Sequence, residues 1–287
     1  MTTAPYFTDH FEGLADRYDV VFCDVWGVVH NSIVAFPEAA DALMRFRRKG
    51  GAVVLITNAP RPGEVVVRQL DRLGMPRTSY DGIIASGDVT RHIIAARGGS
   101  IHHLGPERDL PIFAGLDLKF APVEQADFTV CTGLFNDDDE TPEHYRELLA
   151  SMRARDMYMV CANPDLVVER GTRLLYCAGA LADLYQSMGG EVVYAGKPHA
   201  PIYEEALARA EAALAGPVKR ERVLAIGDSI RTDLKGARAF GVDCLFVTAG
   251  IHSEELGGRD NPDAGTLSGL FKDAGVVPTA VTRRLAW

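Results

Sequence analysis

The run Val20-Val21-Phe22-Cys23 is apolar at every position and ends in a lone carboxylate, Asp24. A strand with one wet face alternates apolar and polar residues, so an unbroken run reads as a strand covered on both faces. Two more runs repeat the pattern: Ala52-Val53-Val54-Leu55-Ile56 ends in Thr57-Asn58, and Val223-Leu224-Ala225-Ile226 ends in Gly227-Asp228-Ser229. Helical patterns follow the first two, one from Pro37 to the Gly50-Gly51 pair and one over 62–73, stopped by Gly74. Strand, helix, strand, helix predicts an α/β fold with a parallel sheet covered by helices. The carboxyl ends of such strands share one edge, where ligands bind, so Asp24, Thr57-Asn58 and Asp228 are predicted to meet there. Lys197, in Gly196-Lys197-Pro198, follows Glu191-Val192-Val193-Tyr194 in the same phase and is predicted to join them.

The rest of the chain suggests an insertion. Residues 7–18 read as a leading helix, 202–214 and 234–240 as helices, and Cys244-Leu245-Phe246-Val247 as a last core strand. Between them, short strands at 83–85, 101–104, 128–131 and 158–161 alternate with helices at 89–96 and 142–155, as in a separate small α/β module. The simplest partition is a core of 1–82 plus 191–287 and an inserted module of 83–190, with Asp81-Gly82 and Gly189-Gly190 as hinges. The tail after Gly257 carries no clear period.

Composition narrows the function. With 287 residues, 47% of them hydrophobic, the chain can fill two cores, and its net charge of −9 disfavours nucleic acid and anionic membranes as partners. No apolar stretch approaches a membrane span and the first residues do not resemble a signal peptide, so a cytoplasmic protein is expected. Five cysteines without a C-x-x-C spacing read as buried thiols, neither a zinc site nor a disulfide framework. Asp137-Asp138-Asp139-Glu140 precedes a helix, where acidic residues complement the dipole.

The residues predicted to converge suit phosphoryl transfer. An aspartate can accept a phosphoryl group, further carboxylates at Asp228 and Asp233 can hold a cation, and Lys197 and Thr57 can bind phosphoryl oxygens. Hard oxygen ligands and a phosphate favour magnesium. Taken singly, Thr57 also fits a strand-ending turn, Lys197 a surface charge and Asp233 a helix N-cap.

Asp24-Val25-Trp26-Gly27-Val28, Thr57-Asn58, Gly196-Lys197-Pro198 and Gly227-Asp228-Ser229-Ile230-Arg231-Thr232-Asp233 resemble the four motifs of the haloacid dehalogenase superfamily. The insertion, with Asn163-Pro164-Asp165, is similar to the cap of its class IIA branch, which includes 4-nitrophenyl, pyridoxal phosphate and sugar phosphatases. The resemblance implies a Rossmann-like core with an inserted α/β cap. It implies Asp24 as nucleophile, with magnesium held by Asp24, the carbonyl of Trp26 and Asp228, and with Asp233 either on the metal directly or acting through another of its ligands. Thr57, Asn58, Lys197 and the loop at Trp26-Gly27 would bind the phosphoryl group.

One position departs from the pattern. Phosphatases of this superfamily usually carry a second aspartate two residues after the nucleophile as general acid and base, and this chain has Trp26. An indole cannot do that work, which is typically worth ~10²–10⁴ in rate. Three accounts stand open: His30 supplies the proton, the substrate has a good leaving group, or the protein binds a phosphorylated ligand with little turnover. Asn163 and Asp165 are candidates for substrate specificity, with Arg170 and Arg173 behind them. The expectation is a magnesium-dependent hydrolase of a small phosphorylated metabolite acting through an aspartyl-phosphate, the rival being a binding or regulatory protein. A homodimer is compatible with it. A dinucleotide-dependent oxidoreductase is disfavoured, since the first strand turn lacks G-x-G-x-x-G.

Overall fold

The computed structural model describes residues 6–170 and 173–287, with the backbone alone at 169 and 170. In chain order the first strands are β1 (Tyr6–Phe7), β2 (Val20–Asp24), β3 (Ala52–Thr57) and β4 (Gly82–Ala85). Next come β5 (Ser100–Leu104), β6 (Lys119–Phe120), β7 (Phe128–Cys131), β8 (Tyr158–Cys161), β9 (Val167–Arg170), β10 (Arg173–Tyr176) and β11 (Glu191–Tyr194). The last are β12 (Val223–Gly227), β13 (Asp243–Val247) and β14 (Ala280–Thr282).

The residues group into two units: one of residues up to Thr57, Val67–Ile84 and Tyr203–Trp287, the other of Asn58–Val66 and Ala85–Ile202. The first holds a seven-stranded sheet in the order β1-β14-β13-β12-β2-β3-β4. β2 lies between β3 and β12, parallel to both, with Asp24 opposite Ile56 and Cys23 opposite Ile226. Val20 to Cys23 have no solvent exposure, which is why that run shows no alternation. The helix Pro37–Arg48 starts on a proline, whose missing N–H costs nothing there, and buries Ala39, Ala40, Ala42, Leu43 and Phe46.

The second unit is built on a five-stranded sheet in the order β11-β8-β7-β5-β6, every pairing in it parallel, together with the antiparallel hairpin β9–β10. Leu104, Cys131, Leu149, Met152, Met159, Cys161, Leu181 and Tyr185 form the core on one side of that sheet, while Ile94, Ile101, Ile112, Phe128 and Val130 belong to a second cluster. All five cysteines are buried and none forms a disulfide.

Four sequence expectations change. The leading helix shrinks to Glu12–Ala15, and Tyr6–Phe7 instead pairs with β14. β4 belongs to the seven-stranded sheet and β11 to the five-stranded one, so residues 83–84 lie in the first unit and 191–202 in the second, not as the 1–82/83–190/191–287 partition had them. Lys197 therefore follows a strand of the second sheet and not of the sheet carrying Asp24. The patternless tail contains a helix, Ala264–Ala274, and β14.

Candidate active site

Three carboxylates converge in the first unit. Asp24 ends β2, Asp228 follows β12, and Asp233 lies in the single wide turn Ile230–Leu234 that opens the helix Lys235–Phe240. They are 8%, 4% and 3% exposed, and one ligand oxygen from each lies within 4.8 Å of the others. Like charges this close repel by at least ~3 kcal/mol per pair even at an effective dielectric constant of 20. A hard divalent cation removes that repulsion, and three buried carboxylate oxygens are the donor set such a cation takes. The residues thus fit a hard divalent cation.

Backbone donors aim each carboxylate. Asp24 Oδ1 accepts the Val25 N–H at 2.7 Å, Asp228 Oδ2 accepts the Ile251 N–H at 2.8 Å, and Asp233 Oδ2 accepts the Ser229 N–H at 3.1 Å. Ser229, not Asp233, caps the turn, its side chain accepting from the Thr232 N–H. Gly27 has a left-handed φ of 80° and donates its N–H to the His30 carbonyl at 2.9 Å, closing the loop after Asp24. A Cβ at either Gly27 or Gly250 would overlap the Asp228 carboxylate. Sequence reasoning missed Gly250 and Ile251, which lie a few residues beyond the end of β13 at Val247. Thr57, the last residue of β3, is buried as predicted for a strand end.

Trp26 is half-buried, and its indole meets the His30 ring edge-on. His30 is only 2% exposed, its Nδ1 accepts the Ser32 N–H at 3.0 Å, and burial pushes its pKa down to about 4. The ring is neutral at pH 7, with the remaining proton on Nε2.

The second unit carries the other predicted residues. Lys197 is 2% exposed, far too deep for a solvated surface charge. The Asn58 amide is bonded to the Lys197 backbone and to Asp165 Oδ1. Asn163 Oδ1 accepts the Asp165 N–H at 3.1 Å, an Asx turn. Arg173 pairs with Asp138, and the Arg170 side chain lies outside the described residues.

Family models match the stretches of sequence that carry this triad. Residues 21–119 match a haloacid dehalogenase-like hydrolase model and residues 194–270 a HAD-hydrolase-like one. A crystal structure of a haloacid dehalogenase-like hydrolase from Brucella suis is 45% identical, covers 98% of this chain and all of its own, and superposes with a TM-score of 0.87. The chain belongs to the haloacid dehalogenase-like hydrolases. It is similar to the D-glycerol 3-phosphate phosphatase of Mycobacterium tuberculosis, 27% identical over 84% of this chain, and spans 66% of that enzyme's length. The ribonucleotide monophosphatase NagD of Escherichia coli is 26% identical over 81% of this chain and 88% of its own.

Proposed function

We propose that this protein is a magnesium-dependent phosphatase of small phosphorylated metabolites, working through an aspartyl-phosphate at Asp24. The observation that carries the reading is the buried triad of Asp24, Asp228 and Asp233 within 4.8 Å. Family membership and two relatives named as phosphatases support the substrate class. Asp24, Asp228, Asp233 and the Trp26 carbonyl would hold magnesium, which neutralises phosphate charge when bound. One Asp24 oxygen attacks phosphorus, the P–O bond to the leaving group breaks, and the leaving oxygen departs as an alkoxide or phenoxide that takes its proton from solvent. Water then attacks the phosphorus of the acyl phosphate, releasing inorganic phosphate and restoring the carboxylate. Thr57 and Lys197 bind the phosphoryl oxygens through this sequence.

Trp26 leaves the alcohol to depart without an acid two residues from the nucleophile. His30, buried and with Nδ1 already accepting a hydrogen bond, is a poor substitute. Turnover is therefore fastest on substrates with good leaving groups, and the same observation supports a second reading, a low-turnover binder of phosphorylated ligands. No helix among the described residues is long and apolar enough to cross a membrane, which suits a cytoplasmic metabolite enzyme. A panel of phosphate monoesters with magnesium, run on wild type and Asp24→Asn, decides between the two. Phosphate release lost in Asp24→Asn supports the enzyme; saturable binding with no release from any ester supports the binder.

A further inference from the structure

Asn58, the residue after Thr57, has its whole amide committed. Oδ1 accepts the Lys197 N–H at 2.7 Å, and Nδ2 donates to the Lys197 carbonyl at 3.0 Å and to Asp165 Oδ1 at 2.9 Å. The amide orientation follows from this pattern, since the reverse would set NH2 against an N–H and oxygen against a carbonyl and a carboxylate. An amide has two hydrogens, so none remains for a ligand. Gly196 makes the approach feasible: a Cβ there would overlap Asn58 Oδ1 and stand 2.9 Å from both Pro164 Cδ and Ser86 Oγ. Three segments distant in sequence, at 58, 163–165 and 196–197, thus close on one side chain.

We infer that Asn58 and Asp165 are positioning residues that fix the backbone of Lys197, and with it the reach of its amine, and are not substrate contacts. This rests on the reading of Lys197 as the cation that binds the phosphoryl group. Lysine carries its charge on a flexible four-carbon stem, so both backbone groups of the residue must be held if the charge is to have one place. A misplacement of about 1 Å can cost ~10²-fold.

The test uses the full chain with magnesium and reads two quantities, the Kd of orthovanadate as a phosphoryl mimic and kcat/KM on p-nitrophenyl phosphate. Asn58→Ala and Asp165→Ala are expected to weaken orthovanadate binding and kcat/KM by ~10–10²-fold. Asp165→Asn keeps an acceptor oxygen for Nδ2 and should stay within about threefold of wild type. In a Lys197→Ala background, Asn58→Ala should change either quantity by no more than about twofold, because its effect runs through the lysine. Losses that multiply in that background, or Asp165→Asn falling as far as Asp165→Ala, overturn the inference in favour of direct contact. Asn58→Ala at wild-type level while Lys197→Ala is impaired also overturns it. Lys197→Ala at wild-type level overturns the reading beneath it. The comparison of Asp165→Asn with Asp165→Ala stands even if Asn58→Ala fails to fold.

Discussion

The ring of Trp26 meets that of His30 edge-on, centroids 5.4 Å apart and planes at 67°. An apolar indole therefore occupies the position two residues after Asp24, and the neighbouring imidazole is buried against it.

Replacing the indole by a carboxylate should restore an acid. Trp26→Asp is expected to raise kcat on alkyl phosphates, whose leaving groups need a proton, by ~10–10²-fold. On p-nitrophenyl phosphate, whose leaving group needs none, the change should stay within about threefold. Steady-state rates on the two substrate classes check this, and equal effects on both would mean that Trp26 does not limit protonation.

Gly250 is expected to matter through its missing side chain. A Cβ there collides with the Asp228 carboxylate, which Ile251 holds by its N–H. Gly250→Ala should weaken magnesium binding by ~10-fold or more, as losses of groups that orient a ligand do. Calorimetric titration of the purified variant with magnesium reads this directly, and unchanged affinity would show that Asp228 does not bind the ion.

These cases show where sequence reasoning reaches. Asp24, Thr57 and Asp228 were legible because unbroken apolar runs announce doubly covered strands, and a polar residue at the end of one marks the ligand-binding edge. The sheets to which 82–85 and 191–194 belong were not, since an apolar run looks the same in either sheet. β1 and β14, of two and three residues, are too short to show a period. The Ile251 N–H on Asp228 had no signal at all, because every residue but proline has that donor. Asn58 was legible as the residue next to a strand end, but its hydrogen bonds were not, since they reach partners 107 and 139 positions away.

Stability should depend on pH through His103. Burial, aided by repulsion from His102, pushes its pKa from 6.5 to about 4, and its Nε2 lies 2.9 Å from Thr132 Oγ1. Above pH 6.5 both folded and unfolded chains hold it neutral, and nothing is lost. As pH falls from 6.5 toward 4 the unfolded chain takes the proton first, so stability declines, by up to about 3 kcal/mol for this group. Burial lowers His102 in the same direction. Urea midpoints between pH 7.5 and 4.5 should show a shallower decline in His103→Gln, and identical slopes would contradict the assignment.

The proposed reaction stands or falls on Asp24 as nucleophile. Acid quenching during turnover of a phosphate ester with magnesium, followed by peptide mass analysis, should find a phosphoryl group on the peptide containing Asp24. It should be absent after chelation and absent in Asp24→Asn, which should also lose ~10³-fold or more in kcat. Phosphoryl on another residue, or wild-type turnover in Asp24→Asn, would contradict Asp24 as the nucleophile.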